Sequence, residues 1–345
     1  MGLAPYPWLQ KPAELLESFT KKLPSSILIH GPRGSGTYEL GEAFAKLILC
    51  SSPVDGHACG QCAECKLIEA GNHPDFKLLL SEAEEAIHPL PWQKEAKPVT
   101  GKKTISRTIS IEQIRALSDF IGISSHRGGR RVVLVYPADT MMADQSSALL
   151  KTLEEPPPSM VFILVSDNLD RMLPTIRSRC QLVRVAPPTQ EQGVQFLKEK
   201  GVENPVEELA KLGGMPLLYF EQDQKLRLDP EKEEKLLDLL AKGPALDARS
   251  IIDLSSAEYS LVPLTTLLQR WCNDLVLVSQ GLQPRYFLRR ANQTKSIASS
   301  VNLKKLYAFW DELNTTRRHL QIALNPRMMT QDMLFKYKDI FPKRR

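Results

Sequence analysis

One short glycine-rich segment constrains the fold of this chain more than any other feature. Residues 26–30 read Ser-Ile-Leu-Ile-His, residues 31–36 read Gly-Pro-Arg-Gly-Ser-Gly, and a helical pattern follows from about 37 to 49. A five-residue apolar run bounded by glycine and proline favours a buried strand. Strand, glycine loop and helix in this order are typical of an α/β domain with a loop at the end of its strand.

Four more strand-sized runs occur downstream, at 76–80, 132–136, 161–165 and 181–185, and helical patterns lie between them. One of these helices should begin after Ser110, because this serine can cap the first turn that follows it. Strands that alternate with helices predict a parallel sheet covered on both faces.

The composition changes after Pro187 and Pro188, beyond which we find helical patterns only, with a break at Gly243 and Pro244. A chain of 345 residues also exceeds what one ordinary core organises. We therefore predict an α/β domain over 1–187, a helical domain over 188–242 and a second helical domain over 243–345.

Two further features of the sequence bear on partners and location. The net charge is +5, which permits contact with nucleic acid but does not demonstrate it. The stretch 81–107 has no clean period, and 94–107 holds five basic residues against one acidic, so we interpret it as a solvated, mobile insertion. No apolar run approaches the roughly 20 residues of a membrane span, and no secretory leader is recognisable. We expect a cytoplasmic protein.

The glycine loop has the frame of a phosphate-binding loop without its chemistry. Such a loop needs a lysine for the phosphates and a Ser or Thr for magnesium directly after its last glycine. Here Gly31, Gly34 and Gly36 supply the frame, but Thr37 stands at the lysine position and Tyr38 at the hydroxyl position. A tight turn that keeps its shape without a ligand is the favoured interpretation.

The acidic residue that should end a later strand is also missing. Run 132–136 leads into Tyr136 and Pro137, and Asp139, three residues on, is interpreted as a helix cap. Two losses in one nucleotide site argue against ATP hydrolysis by this chain. An alternative is that Arg33 replaces the missing lysine.

Clustered cysteines are the most specific chemical signal. Four of the six fall within sixteen residues, which predicts a closed tetrahedral structural zinc site. The ligands would be Cys50, Cys59, Cys62 and Cys65. Four unliganded thiols in a reducing compartment are the alternative. A full cysteine set leaves His57 and His73 no vacancy, so we interpret both as surface or capping residues.

Ser178, Arg179 and Cys180 stand just before the last predicted strand. Arg179 is either a cation in an ion pair at the edge of the core or an arginine finger for the ATP of a neighbouring subunit. Composition does not decide between these roles. Cys180 has no obvious metal partners in the sequence.

These segments together resemble the bacterial clamp-loader subunits of the AAA+ family. The resemblance is dense over 8–188 and thin afterwards, where 317–320 and 325–327 resemble the last helices of the family. Its most specific element is the run Leu-Leu-Lys-Thr-Leu-Glu-Glu-Pro-Pro combined with Ser-Arg-Cys. The segments that carry it are 31–36, the cysteine module, 72–75, 148–157 and 176–180.

Departures from the family pattern indicate the type of subunit. The gamma and tau subunits keep the loop lysine and the acidic strand end, which this chain lacks, so it is similar to the loader subunit that is implied not to hydrolyse ATP. After Gly213, Gly214, Met215 and Pro216 comes Leu217, where the family often has an arginine. The basic insertion has no place in the family pattern.

The resemblance implies a RecA-like AAA+ P-loop domain with a zinc module, a helical lid and a helical collar. It also implies a pentamer with delta and three gamma or tau subunits, which loads the β sliding clamp onto primed DNA. Arg179, positioned by Ser178 and Cys180, would serve a neighbouring gamma-type site. Two alternatives remain: an active gamma-like ATPase that uses Arg33, and a nucleic-acid-binding zinc module on a decayed ATPase fold.

Overall fold

The computed structural model describes residues 2–88, 106–122, 129–221, 228–256, 259–319 and 325–342. The chain divides into two compact units. The first comprises Met1–Phe196 and Met215–Leu218, and the second comprises Leu197–Gly214 and Tyr219–Arg345. The three domains with boundaries at 187 and 242 stay a prediction. Most of the basic insertion at 94–107 lies outside the described residues, as do Leu320 and the basic tail 343–345.

A five-stranded parallel sheet forms the centre of the first unit, in the order β2-β3-β4-β1-β5. All five predicted strands are confirmed to within one residue at either end. The strands are β1 Ser26–His30, β2 Phe76–Leu80, β3 Arg131–Tyr136, β4 Met160–Ser166 and β5 Gln181–Arg184.

Both faces of this sheet are buried, and alternate residues of each strand enter different cores. In β3, Val132 and Leu134 belong to one hydrophobic cluster, whereas Val133 and Val135 belong to the other. In a strand that is buried on both faces, apolar side chains are favoured at successive positions, because neither face meets water. This explains why the sequence shows continuous apolar runs rather than alternation.

Seven complete α-helices accompany the sheet among the described residues of the first unit. Helix α5 begins with the predicted cap: the Ser110 Oγ accepts the Gln113 N–H at 3.1 Å, and the Gln113 Oε1 accepts the Ser110 N–H at 2.8 Å. The helices are α1 Gln10–Phe19, α2 Thr37–Leu49, α3 Ala63–Glu69, α4 Glu82–Ile87, α5 Ile111–Gly122, α6 Ala143–Glu154 and α7 Pro174–Arg177.

Helix α4 corrects our interpretation of 81–107 as wholly aperiodic. The Ser81 side chain accepts the Glu84 N–H, and the first turn carries three acidic residues, which the positive end of a helix favours. A helix of six residues is too short to show a period in the sequence.

The described elements of the second unit are all helices. Helix α8 is shared, because the division between the units falls after its residue Phe196. None of the described helices is long and apolar enough to cross a bilayer. The helices are α8 Gln190–Glu199, α9 Pro205–Lys211, α10 Pro230–Ala241, α11 Ala248–Ser255, α12 Leu261–Ser279, α13 Ala291–Ala298, α14 Leu303–His319 and α15 Pro326–Asp339.

Helix α12 lies at the centre of the second unit and packs against α13, α14 and α15. Its fully buried Trp271 donates from Nε1 to the Tyr337 hydroxyl at 2.9 Å, and that hydroxyl donates to the Leu240 carbonyl at 2.8 Å. The polar atoms of both large rings are thus satisfied inside an apolar core.

A buried carboxylate on the same helix holds a loop in place. Asp274 accepts backbone N–H groups of Arg285, Tyr286 and Phe287 at 2.7–3.1 Å. Burial raises the pKa of Asp274, while these N–H donors lower it and offset part of the shift. The loop that leads into α13 is therefore tied to α12 by one side chain.

We predict that Asp274→Ala lowers the free energy of unfolding of the second unit by about 2–4 kcal/mol, because it leaves buried N–H donors unpaired. Chemical denaturation monitored by tryptophan fluorescence measures this loss. Asn273→Ala is the matched control, since the Asn273 Oδ1 has no hydrogen-bond partner to lose. Equal losses in the two variants would contradict the tethering role of Asp274.

Candidate functional site

Four cysteines come together at the N-terminus of α3 and the loop before it. Their Sγ atoms all lie within 4.8 Å of one another. The Sγ of Cys50 is 3.6 Å from that of Cys59 and 3.8 Å from that of Cys62. Zinc–sulfur bonds of about 2.3 Å in a tetrahedron give sulfur–sulfur edges of about 3.8 Å, whereas a disulfide needs about 2.05 Å. The cluster, completed by Cys65, could hold a metal ion.

Hydrogen bonds favour the thiolate, the form that binds metal, at Cys59 and Cys62, whereas burial raises the pKa of Cys50 and raises that of Cys65 to about 12. The N–H groups of Gln61 and Cys62 point at the Cys59 Sγ at 3.4 and 3.3 Å, and they lower the pKa of Cys59. Burial acts in the opposite direction at Cys62, but hydrogen bonds from Ser51 and Cys65 lower its pKa to about 5. The four sulfur donors and their spacing fit a divalent ion such as zinc.

His73 is buried, which corrects our interpretation of it as a possible surface residue. Its Nε2 lies 2.9 Å from an oxygen of Glu64, which stands between two of the cysteines in α3, and its Nδ1 accepts the Asp75 N–H at 3.1 Å. Asp75 in turn lies 3.7 Å from the Arg131 guanidinium at the start of β3. The cysteine module is thereby connected to the sheet by a chain of polar contacts.

The glycine loop after β1 is packed against side chains of its own unit. Gly34 and Gly36 have φ values of 79° and 92°, which favour glycine. A Cβ atom on Gly34 would lie 2.6 Å from the Leu218 Cγ, so Leu218 lies directly on the loop. The Trp8 indole donates to the Ser35 carbonyl at 2.8 Å from the other side. Residues of the chain itself therefore cover part of the loop.

Two tyrosine rings pack on each other between α2 and β3. Tyr38, in the first turn of α2, and Tyr136, the last residue of β3, have ring centroids 5.2 Å apart. His88 packs on Tyr38 at 4.1 Å, and burial, with the Arg33 charge, lowers the pKa of His88 to about 4. Both tyrosines are buried. The space between α2 and β3 is thus filled by aromatic packing.

Arg33 and Asp167 lie in a polar network beside these rings. The Arg33 guanidinium lies 2.7 Å from Glu84 and 3.4 Å from Asp167, and the Tyr136 hydroxyl donates to Asp167 at 3.0 Å. Asp139 accepts the Asp167 N–H at 2.9 Å, and the N-cap residue of α6 is Met142, so our interpretation of Asp139 as a helix cap is wrong. The network links three strand ends and the capped turn of α4.

Burial governs the titration of Asp167. Desolvation is the largest cause that raises its pKa to about 7, the neighbouring Asp139 and Glu84 charges act in the same direction, and Arg33 and Tyr136 oppose them. The Asp167 Oδ1 has no hydrogen-bond partner. Near neutral pH, Asp167 is therefore divided between its charged and neutral forms.

Arg179 lies in the turn between α7 and β5, with about a third of its side chain exposed. Its guanidinium contacts Glu154 at 2.6 Å and donates to the Thr175 carbonyl at 2.9 Å. Ser178 donates to the same carbonyl at 3.0 Å. Burial raises the pKa of the half-buried Cys180 to about 12.

The glycine loop and Arg179 lie at opposite ends of the parallel strands: the loop at their carboxyl ends and Arg179 at their amino ends. The loop follows the carboxyl end of β1, whereas Arg179 precedes the amino end of the parallel neighbour β5. Four residues of β1 pair with four residues of β5, so the two ends of this paired segment are about 10 Å apart. The structure thus separates the loop from the arginine, and it brings the four cysteines together at a third place.

Sequence reasoning missed Asp167, Glu84 and Glu154 as members of these clusters. Asp167 follows directly after a buried strand, which is a detectable signal, since functional side chains gather at the carboxyl ends of parallel strands. Glu84 and Glu154 contact arginines that are 51 and 25 positions away, which no local pattern reveals.

Known proteins resemble this chain along most of its length. The model of a family described as "DNA polymerase III, delta subunit" matches residues 13–189. A DNA polymerase III subunit delta' of Pseudomonas aeruginosa is 31% identical over 272 residues, which is 78% of this chain and 75% of the relative. One of Haemophilus influenzae is 32% identical over 232 residues, 66% of this chain and 64% of the relative.

Among solved structures, a "DNA polymerase III, gamma subunit-related protein" of Thermotoga maritima aligns over 95% of this chain and 99% of its own, with 19% identity and a TM-score of 0.48.

The parallel sheet in the order β2-β3-β4-β1-β5, with a glycine loop after β1 and a four-cysteine cluster beside it, defines the first unit as an α/β domain with a candidate metal site. The sequence matches are more specific than this class. The chain belongs to the family of DNA polymerase III delta-prime subunits.

We predict that the chain binds one zinc ion and that Cys59→Ser abolishes this binding, because a closed tetrahedral site needs all four thiolates. Metal analysis of the purified protein measures the content, and chelation should lower the unfolding temperature of the first unit. Cys180→Ser, outside the cluster, should retain the metal. Failure of the unaltered chain to take up zinc during refolding would contradict the prediction.

We predict that Asp167→Asn changes how stability depends on pH. With a folded pKa of about 7 against an ordinary 3.8, Asp167 contributes stability that is lost as pH rises from about 4 to about 7. Asparagine does not titrate, so the free energy of unfolding of the variant should rise relative to that of the unaltered chain as the pH increases across this window. Denaturant unfolding at several pH values tests this, with the exposed Asp170→Asn as control. A constant difference between the two chains would contradict it.

Proposed function

We propose that this chain is a clamp-loader subunit that does not hydrolyse ATP and that offers Arg179 to the ATP site of a neighbouring subunit. The observation that carries the proposal is the pair of packed tyrosines, Tyr38 and Tyr136, at the two positions where a nucleotide site needs magnesium ligands. Membership in the delta-prime family supports the assignment to the loader.

The surroundings of the loop support the absence of hydrolysis. Magnesium bridges the phosphates of ATP in P-loop enzymes and is held by a hydroxyl and a carboxylate. Neither a Ser or Thr hydroxyl nor a carboxylate stands at these positions, because buried phenol rings of Tyr38 and Tyr136 stand there, and Arg33, the alternative to the missing lysine, is paired with Glu84. Leu218 packs on Gly34, where phosphate oxygens would approach the backbone. An active gamma-like ATPase that uses Arg33 is therefore the weaker hypothesis.

The position of Arg179 supports action on another subunit. It lies at the edge of the sheet opposite the loop of its own chain, at a distance that its side chain does not span. It is also partly exposed, as a group that enters a neighbouring site must be. An arginine supplied in this way stabilises the charge that develops on the transferred phosphoryl group.

Family resemblance supplies the rest of the proposal. The partners would be delta and gamma or tau subunits, with the β sliding clamp and primer-template DNA contacted through the complex in the cytoplasm. Zinc at the four cysteines would be structural, a role that contributes roughly 10–16 kcal/mol in small zinc peptides. Residues 188–242 would form the lid and 243–345 the collar that assembles with the sister subunits.

We predict that Arg179→Ala assembles normally but abolishes ATP hydrolysis at one site of the reconstituted loader, by about 10³-fold or more at that site. DNA- and clamp-stimulated hydrolysis, measured with assembly checked by sedimentation, tests this. Arg171→Ala, an exposed arginine on the connection between β4 and α7, is the matched control. Unchanged hydrolysis and clamp loading would contradict the proposed role and would show that Arg179 is only a cation in an ion pair.

ATP turnover by the isolated chain tests the other half of the proposal. We expect none above background, with or without DNA. Turnover that Arg33→Ala removes would favour the active ATPase instead. Tight, salt-sensitive DNA binding by the chain alone would favour the nucleic-acid-binding alternative.

A further inference from the structure

The Arg179 guanidinium is held in a defined orientation by two elements of its own chain. One terminal nitrogen, Nη2, lies 2.6 Å from Glu154 Oε1, and the other, Nη1, donates to the Thr175 carbonyl at 2.9 Å. Ser178 lies 3.4 Å from Nη1 and donates to the same carbonyl at 3.0 Å. A planar guanidinium with both terminal nitrogens engaged has one preferred plane.

Glu154 is placed for this contact by the way its helix ends. It is the last residue of α6, and the prolines at 156–158 prevent the helix from continuing past Glu155. Helix α6 packs against α7, the short helix that immediately precedes Ser178 and Arg179. The carboxylate and the arginine therefore approach each other across a packed helix pair, not along a flexible loop.

We propose that Glu154 is a positioning residue for Arg179, which fixes the guanidinium before the neighbouring ATP site forms around it. This inference rests on the proposed function. An arginine has many rotamers, and ordering it at the moment of reaction costs entropy that Glu154 and Thr175 remove in advance. Glu154 touches no substrate and acts only through Arg179.

The pair has little effect on the isolated chain. Half of the Glu154 side chain is exposed, and exposed ion pairs contribute little to stability in water. A neighbouring subunit that covers this edge excludes water, and the same contact then becomes stronger. The effect of Glu154 should therefore appear in the hydrolysis rate of the assembled loader and not in the stability of the free subunit.

The experiment compares Glu154→Ala, Glu154→Gln and Glu155→Ala in the reconstituted loader, each with Arg179 present and with Arg179→Ala. Glu155 is the matched control, because it is the adjacent exposed glutamate. We expect Glu154→Ala to lower kcat at the served site about tenfold with KM nearly unchanged. Glu154→Gln keeps an acceptor oxygen and should recover part of the rate, whereas Glu155→Ala should have no effect.

The variants that carry Arg179→Ala test separately the role of Arg179 and the action of Glu154 through Arg179. There, Glu154→Ala should cause no further loss, because it acts only through Arg179. An equal loss on both backgrounds would identify a structural effect and overturn the inference, and so would an unchanged or faster rate with Arg179 present. If Arg179→Ala itself has no effect, the proposed function fails before Glu154 is tested.

Discussion

The pairing of β1 with both β4 and β5 determines where the glycine loop, Asp167 and Arg179 lie. This strand is hydrogen-bonded to partners that come more than 130 positions later in the chain, and all three run parallel. Their carboxyl ends bring the glycine loop and Asp167 together, while the opposite edge receives Arg179 from the turn before β5. The separation of loop and arginine is thus a property of the sheet and would survive most changes in the loops.

The glycine loop after β1 is part of the packing of its unit. Tyr38 and Tyr136 belong to the same hydrophobic cluster as the inner residues of the sheet, and their rings occupy space between α2 and β3. Beside these rings lies Asp167, which contacts Arg33 and whose Oδ1 has no hydrogen-bond partner. Burying a carboxylate in this way costs stability near neutral pH.

The order of strands and helices in the first unit could be predicted from the sequence, because residues buried on both faces leave continuous apolar runs. The cysteine cluster could be predicted as well, since its spacing is local. The contacts around the cluster, the glycine loop and Arg179 could not. Arg33 meets Glu84 and Arg179 meets Glu154 only after the sheet has assembled, and His73 is buried because Glu64 and Asp75 surround it. Helix α4 was missed because six residues are too few for a period.

The packing on the glycine loop bears on what the stability of the first unit depends on. A subunit that binds ATP is stabilised by RT ln(1 + [ATP]/Kd), so its folded population follows the nucleotide concentration. In the first unit, Leu218 packs on Gly34, and the rings of Tyr38 and Tyr136 pack on each other, so side chains of the chain itself cover part of the loop. Under the proposed function, the stabilisation that a nucleotide supplies elsewhere comes here from side-chain packing, which depends on no ligand concentration.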